Sequence, residues 1–155
     1  MNMILKTEKV IKEYTDYNNH LNVAYYIRIF DIAADAMLDN FNMGGESAKR
    51  NKKTTFVVEM YTAYNQEVRL GEEVETHVTY VDHDKKRIHY RLSMFHKEKK
   101  YLAVTNEVLS LYVDLSKRKV VELDPDRLKI MEDFIKKYSS KFNSDKLLFS
   151  GKLKK

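Results

Sequence analysis

Seven consecutive residues, Asp16-Tyr17-Asn18-Asn19-His20-Leu21-Asn22, gather one carboxylate, one imidazole and three amides immediately before a long apolar segment. A carboxylate can attack a carbonyl carbon or take a proton from water. The start of a helix adds unpaired N–H groups and partial positive charge, which hold a carboxylate ionised and stabilise a developing oxyanion. Asp16 precedes Asn22 by six positions, close enough for a loop to fold it back over that helix start. The same residue types are ordinary capping and turn residues, so composition alone leaves both readings open.

The elements that must position this loop follow from hydrophobic periodicity. Asn22 to Phe41 has the length and composition of a helix, with Asn22 as its N-cap. Its polar residues Arg28, Asp31, Asp35 and Asp39 recur every three or four positions and form one thin stripe, so the helix must be wrapped on most sides. A first strand is expected within Ile4 to Tyr14. After the polar linker GGESAKRNKK the period changes to two. Thr55 to Val68, Glu73 to Val81, Arg87 to Phe95 and Tyr101 to Val113 read as strands. The short connections RLGE, DHDK and HKEKK favour an antiparallel meander. Asp124 and Pro125 start a second helix, whose apolar stripe is Leu128, Met131, Phe134, Ile135 and Tyr138. The fold class is therefore α+β, an antiparallel sheet curled around a buried helix, with leftover edge strands that favour pairing with a second copy.

At 155 residues the chain has the size of one domain with a real core. Hydrophobic residues at 43% and charged residues at 33% fit a globular protein and exclude a disordered one. No run approaches the length of a membrane span, and MNMILKTEKVIKEY carries charges where a signal peptide would be apolar, so a cytoplasmic protein is expected. The absence of cysteine removes disulfides, thiolate metal sites and cysteine nucleophiles. Of the net charge of +5, residues 136 to 155 carry +6, so the body is nearly neutral and the end is basic. The domain is expected over residues 1–140 with a basic tail over 141–155, read as a solvated or frayed terminus rather than a nucleic-acid footprint.

The string from Asp16 to Asn22, followed by Tyr26 and a helix, resembles the D-x-x-G-H-[VL]-N signature of hotdog-fold thioesterases of the 4-hydroxybenzoyl-CoA thioesterase type. Within that group, YTDYNNHLNVAYY with Phe30 and Asp31, DKKRIHY, and Glu107 with LSLYVD look most like the betainyl-CoA thioesterases associated with carnitine dehydrogenases. The resemblance covers about residues 4 to 115 in element order, and only the loop and early helix match residue by residue. It departs at Asn19, which stands at the usual glycine position, although asparagine tolerates left-handed backbone angles. The resemblance implies a homodimer or dimer of dimers that hydrolyses an acyl-CoA thioester to the free acid and CoA, with betainyl-CoA or another short polar acyl-CoA as substrate. No cofactor is implied beyond the CoA of the substrate. Asp16 becomes the catalytic acid or nucleophile, the N–H of Val23 the oxyanion donor, and His20 and Asn22 order the loop or contact the acyl group. The alternative is a non-catalytic acyl-CoA-binding or scaffold dimer of the same fold.

Other residues enter as substrate contacts. Glu59 lies on a strand with largely apolar faces and has three readings: a general base, a clamp on a cationic acyl group, or the ion-pair partner of Arg69 or Arg91. Asp31 and Asp35 lie on the helix, where a charged stripe is ordinarily solvated. Tyr14, Tyr17, Tyr25, Tyr26 and Tyr61 fall near the loop and could enclose a quaternary ammonium, or simply pack. Lys85, Lys86 and Arg87, or Lys117, Arg118 and Lys119, are candidates for the CoA phosphates, although charged turns look the same. His77, His83, His89 and His96 lack paired metal spacing and no G-x-S-x-G is present, so neither a metal centre nor a serine hydrolase is expected.

Overall fold

The computed structural model describes residues 3–155, so the first two positions of the expected domain lie outside the described residues. Five long strands, β1 (Met3–Lys9), β2 (Lys53–Tyr64), β3 (Glu73–His83), β4 (Arg87–His96) and β5 (Leu102–Asp114), form one antiparallel sheet in the order β1-β3-β4-β5-β2. A two-residue strand, β6 (Lys119–Val120), pairs with the end of β5. The long helix α1 (Val23–Asp39) lies in the curl of the sheet and buries Tyr26, Ile29, Phe30, Ala33, Ala34, Met37 and Leu38. These meet Val74, Val78, Ile88, Tyr90, Leu92, Met94, Val104 and Val108 from the strands in one continuous core. Arg28, Asp31, Asp35 and Asp39 remain exposed, as their spacing predicts. This is the hotdog arrangement.

Several segments differ from expectation; β2 stops at Tyr64, short of the expected Val68. GGESAKRNKK is not all linker, because Gly45–Asn51 forms a short helix, α2. Its charges follow the helix dipole, with Glu46 in the first turn and Lys49 and Arg50 in the last. Gly44 precedes it, and a Cβ there would lie 1.7 Å from Oδ1 of Asp39, so that exposed carboxylate would have to swing aside. The third helix, α3 (Pro125–Tyr138), begins where expected, yet Asp124 does not cap it with its side chain. That carboxylate instead accepts from Lys53 Nζ at 2.6 Å and from the Tyr112 hydroxyl at 2.9 Å, fastening α3 to the sheet.

The basic end is seated rather than frayed. Phe149 is buried, and the N–H groups of Leu148 and Phe149 donate to Glu107 at 3.1 and 2.8 Å. Lys152 pairs with Glu59, the N–H of Lys154 donates to Asp84 at 2.8 Å, and Lys155 pairs with Asp82. Phe142 packs at a tilt against Tyr80 and lies under the guanidinium of Arg91. Lysines that suggest a solvated tail by composition are thus drawn to carboxylates on the sheet face turned away from α1.

Candidate active site

The loop from Thr15 to Leu21 closes on itself and on a second loop. Thr15 and Leu21 form an antiparallel bridge, and the N–H of Asp16 donates to the carbonyl of His20 at 3.0 Å. Asn19 adopts φ 58, the left-handed conformation the glycine position demands. Its side chain does what glycine could not, accepting from Lys12 Nζ at 2.9 Å. The second loop joins β2 to β3: the N–H of Leu21 donates to the carbonyl of Val68 at 2.7 Å, and the N–H of Leu70 to that of Asn19 at 2.9 Å. His20 and Arg69 form a further bridge.

Within this frame Oδ1 of Asp16 accepts the N–H groups of Asn18 at 2.8 Å and His20 at 3.2 Å. These bonds orient the carboxylate and leave its other oxygen for chemistry. Asn22 caps α1, its side-chain oxygen accepting the N–H of Ala24 at 2.9 Å. The next donor is Val23: among the described residues no acceptor lies against its N–H, and the residue is exposed. An oriented carboxylate and an open N–H at a helix start therefore stand at the two ends of an eight-residue segment, Asp16 to Val23. A cavity of about 450 Å³ opens along the first turns of α1, lined by Tyr14, Ala24, Tyr25 and Arg28.

The tyrosines divide. Tyr14 and Tyr25 stack at 4.8 Å on the cavity wall. Tyr26 is in the core, where its oxygen accepts the N–H of Val68 at 3.2 Å; burial pushes its phenol up to about 12, so it remains neutral. Tyr17 is 95% exposed at the loop tip. Tyr61 pairs with Glu107 on β5 and shares the outer sheet face with it, away from α1. One chain by itself brings only Tyr14 and Tyr25 together.

Glu59 also lies on that outer face, opposite Leu109. Of its three readings the ion pair is realised, but with a different partner: Lys152 Nζ lies 2.8 Å from Oε2, in place of Arg69 or Arg91. Arg69 instead grips Glu67, while Arg91 faces Phe142. Lys85 and Lys86 lie in the β3–β4 turn and Arg87 opens β4; Asp84 accepts the N–H groups of Lys86 and Arg87, both at 2.8 Å. That turn and the Asp16 loop lie at opposite ends of β3, separated by roughly 30 Å of strand. Arg118 lies over the ring of Phe56 at 5.8 Å. Burial together with Asp31 and Asp39 raises the pKa of Asp35 on the exposed stripe of α1.

Sequence reasoning missed Glu67. Its Oε2 is 2.9 Å from Nε2 of His20, and its Oε1 accepts from Nε of Arg69 at 2.8 Å. The available signal was E-V-R, an acid and a base on one side of a strand end, but nothing local says that the pair faces His20.

Residues 10–133 match the family described as the thioesterase-like superfamily. A betainyl-CoA thioesterase of Pseudomonas aeruginosa is 27% identical over 117 residues, which cover 74% of this chain and 74% of that protein. A hypothetical protein from Staphylococcus aureus, solved in complex with CoA, is similar in structure with a TM-score of 0.83 at 24% identity, over 92% of this chain and 90% of that one. A 1,4-dihydroxy-2-naphthoyl-CoA thioesterase from Synechocystis gives 0.74 at 11% identity, over 84% and 96%. The two structural likenesses establish a common backbone arrangement.

Proposed function

The chain belongs to the thioesterase-like superfamily, and we propose that Asp16 is the group with which it hydrolyses acyl-CoA thioesters to the free acid and CoA. The observation that supports this reading is the loop itself: the Asp16 carboxylate is held by the N–H groups of Asn18 and His20 in the turn that leads through the Asn22 cap into α1, whose first N–H, that of Val23, has no acceptor among the described residues. The free oxygen of Asp16 attacks the thioester carbonyl or takes a proton from the attacking water. The N–H of Val23, aided by the helix dipole, receives the carbonyl oxygen as it becomes negative. The C–S bond then breaks, hydroxyl from water ends on the acyl carbon, and the thiolate leaves as CoA. His20 and Asn22 order the loop.

The acyl group we propose is short and polar. The likeness to a betainyl-CoA thioesterase supports betainyl-CoA as the first substrate to try, and the stacked Tyr14 and Tyr25 offer it aromatic surface. Arg28 in the same wall opposes a cationic acyl group. The protein acts as a homodimer or a dimer of dimers, joined through β2.

The test is release of free thiol from betainyl-CoA, acetyl-CoA and benzoyl-CoA by the wild type and by Asp16→Asn. Asparagine keeps an oxygen for the two loop N–H groups, so the variant folds. Turnover falls by on the order of 100-fold or more. Full activity in this variant overturns the assignment, and no turnover by the wild type on any CoA ester favours a binding role.

A further inference from the structure

We infer that Glu67 is a positioning residue for hydrolysis, acting through His20; the inference rests on the reading of Asp16 and its loop as the reacting site. Glu67 is held from both sides. The Tyr101 hydroxyl donates to its carbonyl at 2.8 Å, and Arg69 grips Oε1 through Nε at 2.8 Å and also through Nη2. That leaves Oε2 facing Nε2 of His20 at 2.9 Å. The backbone reinforces the pairing, since His20 and Arg69 bridge and Leu21 bonds to Val68 across the same two loops.

A carboxylate in that position accepts only from a protonated nitrogen. It therefore makes Nε2 the proton-bearing nitrogen of the neutral ring and leaves Nδ1 as an acceptor. His20 also gives its backbone N–H to Asp16, so its ring is attached to the backbone that orients the reacting carboxylate. Nδ1 is then available to accept a hydrogen bond from the attacking water or the substrate. The side chains of His20 and Glu67 are 37% and 44% exposed, and a pair so open to solvent adds little to stability. Its consequence lies in the tautomer and direction of the imidazole.

The experiment measures kcat, KM and thermal midpoint for Glu67→Ala, Glu67→Gln, His20→Ala and the double variant Glu67→Ala/His20→Ala, using the fastest of the three CoA esters above. Glu67→Ala lowers kcat by about tenfold, with KM and the midpoint nearly unchanged. Glu67→Gln, which retains an acceptor oxygen, recovers part of the loss. In the His20→Ala background, Glu67→Ala has no further effect, because there is no ring left to orient. Full kcat in Glu67→Ala, or the same tenfold fall with His20 absent, overturns the inference. Asp16→Asn separates the two levels. If it is inactive while Glu67→Ala is fully active, only the role of Glu67 fails. If it is active, the reading of the site fails.

Discussion

Nε2 of His89 lies 2.9 Å from Oε1 of Glu107 in a pair closed to solvent on the outer face of the sheet. The same carboxylate accepts the N–H groups of Leu148 and Phe149, so one acid side chain serves one nitrogen of a buried imidazole and two main-chain donors. Burial pushes the His89 imidazole down, and Glu107 opposes that shift. Glu107→Ala leaves all three donors without an acceptor and destabilises the protein by about 2 to 4 kcal/mol. Urea unfolding measures the loss, and limited proteolysis shows cleavage between residues 141 and 155 that the wild type resists.

Asn22 gives a smaller effect with a different signature. Its side chain accepts the N–H of Ala24, and its φ of −70° and ψ of 145° turn the chain from the Asp16 loop into α1. Asn22→Ala removes the cap and costs about 1 kcal/mol, whereas Asn22→Asp retains an acceptor and costs less. Thermal unfolding of both variants checks the order. Activity falls more in the alanine variant, because the first turn, including the N–H of Val23, loses its anchor.

How much of this was readable in the chain follows the range of the interactions. Asn22 as a cap, Asn19 in a left-handed turn and the stripe of Arg28, Asp31, Asp35 and Asp39 are local, and periodicity and backbone preference reveal them. The strand meander is also legible, since alternation and short turns fix it. The seated end is not: Glu107 lies 41 positions from Leu148, and Glu59 lies 93 from Lys152. A lysine-rich segment reads as solvated until four carboxylates on one sheet face are known to meet it. The partner of Glu59 is illegible for the same reason, because its strand position reveals burial but not which distant cation arrives. Helix α2 is the exception, a local feature obscured by two glycines, although its charges already follow the helix dipole.

Glu72 makes stability depend on acidity in a defined window. Burial alone would raise its pKa. Hydrogen bonds from Lys99 Nζ at 2.7 Å and the N–H of Arg69 at 2.9 Å, with His96 adjacent, instead lower it from 4.5 to about 2. A carboxyl held lower in the folded state than in the unfolded chain contributes stability that is fully present above pH 4.5. The unfolded state binds the proton first as the solution is acidified, so that contribution disappears as pH falls towards 2. The stability difference between the wild type and Glu72→Gln is therefore constant from pH 7 to about 5 and shrinks at lower pH. Urea midpoints at pH 6, 4 and 3 check this. A difference that grows on acidification contradicts it.

The free edge of β2 gives the last prediction. Phe56, Val57, Val58, Met60, Tyr61 and Tyr64 are each between 41% and 51% exposed, on a strand paired on one side only. Six large apolar residues on an open edge favour pairing with a like edge. Val58 sits where the β2–β5 register shifts, so a lysine there disturbs the pairing with β5 least. Its charge faces the approaching copy, and edge lysines oppose strand addition. If the proposed dimer forms through β2, Val58→Lys sediments as a monomer at concentrations where the wild type sediments as a dimer, while its circular dichroism is unchanged. If the substrate lies across two subunits, turnover falls together with the dimer fraction, and raising the protein concentration restores both. If Val58→Lys remains dimeric, the subunits meet elsewhere; if it is monomeric with full turnover, each chain holds a complete site.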